Sequence, residues 1–365
     1  MPLDAPLQPG QGVIQAAHYL PASIGNVLWG RLPCSTDAAV LEIDSGDEVT
    51  IDTLSHEGVL EDQGRDPAGF FAGHGVARDG VLDDAVALAA SGVRRDTRTD
   101  GPHVVTGPIR IRGARPGDLL RMTVLEATPR VPYGVISNRH GRGALPGEFP
   151  RVEGSVSVFA AVDVDADGTQ VGTLPLLAGG ERTVRFPLNP FLGIMGVAVA
   201  GDARPHSVPP GPHGGNIDIN LLTVGSSLYL PVQVDGALAY VGDPHFAQGD
   251  GEVALTAMEA SLRVTVRFEV VEQADALARF GRLVGPLAET TEFLVPTGMN
   301  EDLDEAVRDC VRAAISLLEA RYGMQPELAY AYLSAATDFN ISQVVDLVKG
   351  VHARIRVSDF GGRNA

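Results

Sequence analysis

Between positions 262 and 271 the chain reads LRVTVRFEVV, where Leu262, Val264, Val266, Phe268 and Val270 keep strict period two. Successive side chains of an extended strand point to opposite faces, so this run predicts a half-buried β-strand. It does not fit a helix, whose apolar stripe recurs every three or four residues. One buried face requires further strands, and the same grammar supplies them. LEIDSGDEVTIDTL (41–54) alternates around Asp44-Ser45-Gly46-Asp47, IRIRGARPGDLLRMTVLEA (109–127) around Pro116-Gly117-Asp118, and Val156, Val158 and Ala160 alternate before an Asp167-Gly168 turn. Each reads as strand, turn, strand. The turn supply is ample: 43 Gly and 25 Pro fit a compact chain with many reversals and exclude coiled-coil, collagen and solenoid architectures.

The last part of the chain changes period. From Glu301 the residues Leu303, Val307, Cys310, Val311, Ala314, Leu317 and Leu318 follow helical spacing, which predicts an amphipathic helix with Asn300 as N-cap, acidic residues in the first turn and Gly323 as terminator. A second helix is expected from Pro326 through ELAYAYLSAA. The glycine-rich stretch near 55–102 reads as a long loop or insertion carrying a short helix at DDAVALAA. Loops of that length are usually functional or mobile. The expected organisation is a β-rich core over 1–298, with that insertion, and a helical segment over 299–365 that packs on and completes it, a mainly β (α+β) fold class.

Charge narrows the partners. The formal net charge is −18, from 46 acidic and 28 basic residues, and there is no basic run. Nucleic acid and anionic membrane are therefore excluded as partners, since both need clustered Lys and Arg. Cys34 and Cys310 have neither metal spacing nor a disulfide framework. The opening MPLDAPLQPGQG lacks a basic n-region and an apolar run, and a cytoplasmic protein is expected.

Chemistry concentrates in 211–259, GPHGGNIDINLLTVGSSLYLPVQVDGALAYVGDPHFAQGDGEVALTAME, where histidines and carboxylates alternate with glycines and short apolar strands. Ligands that converge from loops on rigid strands are what a metal or acid–base site needs. Asp beside Gly is equally a turn signature, so spacing alone leaves both readings open for Asp218, Asp235, Asp243 and Asp250.

HGGNID followed by TVGSSLYLPVQVDGALAYVGDPHFAQGDGE resembles the acetamidase/formamidase family, as do GPHVVTGPIRIRGARPGDLL (101–120) and ISQVVDLVKGVHARI (341–355). The resemblance implies a β-sandwich or jelly-roll-like core of mostly antiparallel strands. It also implies a homo-oligomer and hydrolysis of small linear amides to carboxylate and ammonia. Family members often carry a cysteine just after the GDGE glutamate. Here Val253-Ala254-Leu255 has no thiol, so activated water is expected in place of a cysteine nucleophile. A serine nucleophile stays open at Ser226-Ser227 after Gly225, but without a Gly-x-Ser-x-Gly elbow the pair reads first as a turn.

Within this resemblance His245 and Asp218 are the expected metal ligands and Glu252 the general base. Asn216, two residues before Asp218 on one strand face, is expected to hold the substrate carbonyl or orient a ligand. His103 supplies a further imidazole. The expected cofactor is a divalent ion, zinc first, between Asp218 and His245 with help from Glu252 or His103. His213 ranks below His103, His352 divides between site and packing, and of Asp243 and Asp250 at least one is expected to be structural. His18, His56, His74, His140 and His206 are expected on the surface or in packing. Two rival readings remain: an amidase for a larger or cyclic amide, and a non-catalytic metal- or carbohydrate-binding β-sandwich.

Overall fold

The computed structural model describes residues 5–361 apart from positions 94 and 140, so His140 and the last four positions lie outside the described residues. Sheets of nine and eleven strands carry the chain, and one apolar core takes Ile51, Val264 and Phe268 from the first and Ile109, Val241 and Met258 from the second. The first runs in the order His18–Leu20, Glu48–Asp52, Leu262–Val271, Leu119–Pro129, Ser227–Pro231, Leu287–Glu289, Phe293–Asn300, Lys349–Arg356, Asp338–Gln343. The second is built around Ala239–Ala247, which pairs with Phe191–Gly196, Met258–Glu259 and Val104–Ile111. Pairing between named strands is antiparallel except at His18–Leu20 with Glu48–Asp52 and Leu41–Ile43 with Val104–Ile111. The fold is mainly β, as expected.

The strand Leu262–Val271 lies between Glu48–Asp52 and Leu119–Pro129, with Leu262, Val264, Val266 and Phe268 in the core. Its other face is also partly buried. Arg263 grips Asp52 with Nε–Oδ1 at 2.6 Å and Nη2–Oδ2 at 3.0 Å, and Thr265 meets Thr50 at 3.1 Å. The charge there is paired, as burial requires.

The turns at 44–47 and 112–118 do not close hairpins. Leu41–Ile43 and Val104–Ile111 belong to the eleven-stranded sheet, whereas Glu48–Asp52 and Leu119–Pro129 belong to the nine-stranded one. Each turn carries the chain across the sandwich, and a crossing needs the same residues as a hairpin. In Ser155–Val164 the alternation is present but Val156 and Val158 are 36% and 39% exposed.

The helices Leu303–Tyr322 and Pro326–Ala336 form where expected. The cap of the first is Asp302, not Asn300: its carboxylate accepts from the N–H groups of Asp304 and Glu305, while Asn300 Oδ1 accepts from Asp302 N. Ala306, Cys310, Ala314, Leu317 and Leu318 are buried. After Thr337 the chain returns to strands, and Lys349–Arg356 pairs with Phe293–Asn300. The 299–365 segment is thus helical only in its first part.

The stretch near 55–102 is not a loose insertion. It carries the helix Asp83–Ala90, as expected at DDAVALAA, and also Pro67–Ala72, while positions 55–60 are all buried. Arg130, fully buried, ties it to the sheet through Asp84 at 2.9 Å. Among the described residues no helix is long and apolar enough to cross a membrane.

Candidate active site

Ala239–Ala247 is buried along nearly its whole length and delivers Asp243 and His245 to the interior. His245 Nε2 lies 3.2 Å from Asp243 Oδ2 and 3.1 Å from Glu259 Oε1, and its ring meets Phe191 edge to face at 5.0 Å. His56 enters from the buried 55–60 stretch, with Nδ1 3.4 Å from Asp243 Oδ1 and Nε2 3.3 Å from Glu57 Oε1. His103 completes the ring around Asp243, its Nε2 3.8 Å from Oδ2. A second set, Asp218, Glu252 and Asp346, places one oxygen from each within 4.8 Å of the others.

Backbone conformation marks the same residues. Asp218, Asp243 and Glu252 have φ of 48°, 48° and 46°, a left-handed region that costs a non-glycine residue about 1–2 kcal/mol. Such strain persists where the surroundings over-determine it, commonly at functional sites. The strand carrying Asn216 ends at that residue, so period two does not govern Asp218. The left-handed turn does.

The carboxylates of Asp218 and Asp243 and the imidazole of His245 converge on a residue without a side chain. A Cβ at Gly193 would lie 2.6 Å from Asp218 Oδ1, 2.7 Å from His245 Cε1 and 2.9 Å from Asp243 Oδ2. Only glycine leaves room for all of them.

Electrostatics divide the cluster. Burial, then the charges of Glu252 and Asp346, hold the Asp218 carboxyl well above its ordinary range. Burial and Asp346 do the same to Glu252, and burial pushes Asp346 to about 7. Three crowded carboxylates cannot all ionise without a counter-charge. Asp243 is the opposite case: despite burial, its imidazole neighbours, with His245 Nε2 at 3.2 Å, hold it well below the usual range. Around His56, burial is outweighed by the carboxylates of Asp243, Glu57 and Glu259, which raise it to about 10. A positive charge is demanded there, whichever group supplies it.

His103 provides the sharpest test of whether a metal ion fits. Its Nδ1 lies 3.2 Å from the Ser207 carbonyl and 3.1 Å from Ser207 Oγ. A carbonyl only accepts, so Nδ1 carries the proton. Burial keeps this imidazole neutral, with its pKa at about 4, so Nε2 turns a lone pair toward the Asp243 carboxylate. Two acceptors facing each other need a cation between them. Buried atoms of His56, Asp218, Asp243, His245, Glu259 and Asp346 likewise lack hydrogen-bond partners. Imidazole nitrogens with carboxylate oxygens suit a divalent transition metal.

Above the cluster opens a cavity of about 820 Å³ whose lining includes His56, His103, Asn216, Asp243, Glu252, Glu259 and Asp346. The structure brings all five sequence candidates to one region. Glu252, Asn216 and His103 face the cavity, while Asp218 and His245 stand behind it. Sequence reading missed His56, Glu57, Glu259 and Asp346, and His56 is a correction to its expected surface or packing place. Of the two GD aspartates, Asp243 is central and Asp250 is structural, bonding Asn220, Asn340 and Arg354. His352 bonds Ser342, and His213 is buried and belongs to none of these donor groups. Ser226 bonds the Thr223 carbonyl in its turn, and Cys310, buried on its helix, donates to the Pro296 carbonyl.

Comparison with known proteins agrees. The sequence profile described as the Acetamidase/Formamidase family matches residues 88–205 and 198–357. A formamidase of Methylophilus methylotrophus is 27% identical over 313 residues, 69% of this chain and 75% of that protein. An acetamidase of Mycolicibacterium smegmatis is 30% identical over 207 residues, 44% of this chain and 51% of that one. The crystal structure of an acetamidase from Bacillus halodurans superposes with a TM-score of 0.71 at 25% identity, covering 94% of this chain and 98% of that one. The chain belongs to the acetamidase/formamidase family.

Proposed function

We propose that this protein hydrolyses small linear amides of the formamide and acetamide type to carboxylate and ammonia, at the floor of the 820 Å³ cavity, with a divalent metal ion, zinc first, held around Asp243. The carrying observation is the meeting, at that floor, of imidazole and carboxylate donors whose buried lone pairs have no protein partner. His56, His103 and Asp243 would hold the ion, with Asp218 and His245 behind. A bound ion there supplies Lewis acidity toward the amide carbonyl.

The chain's own residues do the rest. Glu252 takes the proton of the attacking water and delivers it to the departing nitrogen. Asn216, buried with its Oδ1 unpartnered, hydrogen-bonds the substrate amide. Ser207 fixes the His103 ring. The floor groups are buried, so these charges act in a low dielectric. Ammonia release from formamide, acetamide and bulkier amides tests the reading: turnover of the small amides is expected, and none from any amide would overturn it.

Two further properties belong to the proposal. A homo-oligomer is supported by apolar side chains on one outer arm, with Val158, Leu176, Leu177 and Val184 at 39%, 51%, 76% and 45% exposed. Light scattering reads it. A reducing, cytoplasmic setting is supported by Cys34 and Cys310, both buried and unpaired.

A further inference from the structure

The cavity is far larger than an amide of a few heavy atoms needs. At about 820 Å³ it falls in the range of pockets that enclose drug-sized ligands. Its upper wall also has an unusual charge balance for a chain of net charge −18. Each wall carboxylate outside the floor has its own arginine: Glu61 pairs with Arg95, Asp62 with Arg139 at 2.8 Å and Asp100 with Arg31 at 2.7 Å. Arg98, also on the wall, is matched by Asp96 at 3.2 Å.

Two wall cations remain over. Among the described residues, neither Arg142 nor Lys349 has a carboxylate within ion-pair distance. Lys349 is the only lysine of the chain, where every other basic side chain among the 28 is arginine. Its Nζ donates to the Glu301 carbonyl at 2.7 Å and the Leu347 carbonyl at 3.2 Å. Two neutral acceptors hold the ammonium in place and leave both its charge and its third N–H free. Its backbone also stays near the floor, since three residues, at most about 11 Å between Cα atoms, separate it from Asp346.

We propose that this wall selects a linear amide bearing a second, anionic group a few bonds from the amide, with Lys349 and Arg142 as its counter-charges. The inference rests on the amidase reading and adds the substrate's chemical class. The acyl end reaches the floor beside Glu252 and Asn216, and a carboxylate at the far end meets the two free cations. Pairing of this kind at a partly enclosed site is worth tenfold to a hundredfold in selectivity. It also offsets, locally, the repulsion that an acidic surface exerts on an anion.

The test compares the half-amide of succinate with its methyl ester, equal in reach but neutral, by ammonia release. For the unaltered protein, kcat/KM is expected to be at least tenfold higher for the charged compound, with an advantage that shrinks as salt is added. Lys349→Met and Arg142→Gln should each lower that ratio, and together bring it to about one. The ratio is internal to each variant, so partial loss of folded protein does not move it. As a second readout, the half-amide, but not the ester, should protect Lys349 from acylation, a single site on peptide mapping. A ratio near one in the unaltered protein, or one that survives both substitutions, with acetamide still hydrolysed, overturns the inference alone. Absence of ammonia from every amide overturns the amidase reading and this inference with it.

Discussion

The side-chain oxygen of Gln343 accepts a hydrogen bond from the backbone N–H of Asp346 at 3.0 Å. The same side chain accepts from Val345 N at 2.9 Å and donates to the Val348 carbonyl at 2.7 Å. One buried amide therefore shapes the whole turn that brings Asp346 to the cavity floor. The turn is also pinned to the Glu252 loop, where Gly251 N donates to Ser342 O at 3.1 Å and Val344 N to Gly251 O at 3.1 Å.

Gln343→Ala should release this turn. Loss of three hydrogen bonds costs on the order of 1.5–4.5 kcal/mol, and displacement of a group that orients the cluster should weaken metal retention about 10- to 100-fold. Metal titration against a chelator of known affinity reads the effect, with circular dichroism as a check on the fold. Unchanged retention would remove Gln343 from its positioning role.

Glu252→Gln keeps shape and burial but cannot take a proton. Turnover should fall about 10²- to 10⁴-fold with little change in thermal midpoint. A variant that works at the original rate would end the assignment of Glu252 as base.

Gly193→Ala places a methyl group 2.6–2.9 Å from Asp218, His245 and Asp243. Overpacking of this kind typically costs 1–3 kcal/mol, and here the groups pushed apart are the donors themselves. Activity should drop at least a hundredfold while most of the protein still folds. A fully active Gly193→Ala protein would contradict the geometry described for the donor set.

Burial lowers the His213 imidazole to about 4, whereas an unfolded chain protonates it near 6.5. The folded state therefore keeps His213 neutral where the unfolded state binds a proton. The stability it contributes is complete above about pH 6.5 and is lost as pH falls from there to about 4, on the order of 3 kcal/mol in all. Denaturant titrations at pH 7 and 4.5 should show a smaller loss for His213→Gln than for the unaltered protein. Parallel losses would show that His213 does not titrate this way.

Much of the fold is legible because burial imposes periodicity. The strand Leu262–Val271 and the helix Leu303–Tyr322 each announce themselves through apolar spacing, and Gly323 and Pro326 mark helix ends by chemistry that only those residues perform. Which strands pair is not legible: the turn at Asp44-Ser45-Gly46-Asp47 crosses between sheets with the same residues that would close a hairpin. At the site, Asn216, Asp218, His245 and Glu252 stand close in sequence and share a glycine-rich stretch, so local reading finds them. His56 and Asp346 lie roughly 200 and 100 positions away, and only long-range packing brings them in. Their signal is three-dimensional: buried nitrogen and oxygen atoms with no hydrogen-bond partner.

The Asp243 cluster is proposed to hold a divalent ion required for amide hydrolysis. Metal content by mass spectrometry, with ammonia release from formamide before chelation, after it and after zinc is returned, decides this. At least one bound divalent ion per chain is expected, with loss of metal and activity together and recovery of both. Full turnover by metal-free protein would contradict it.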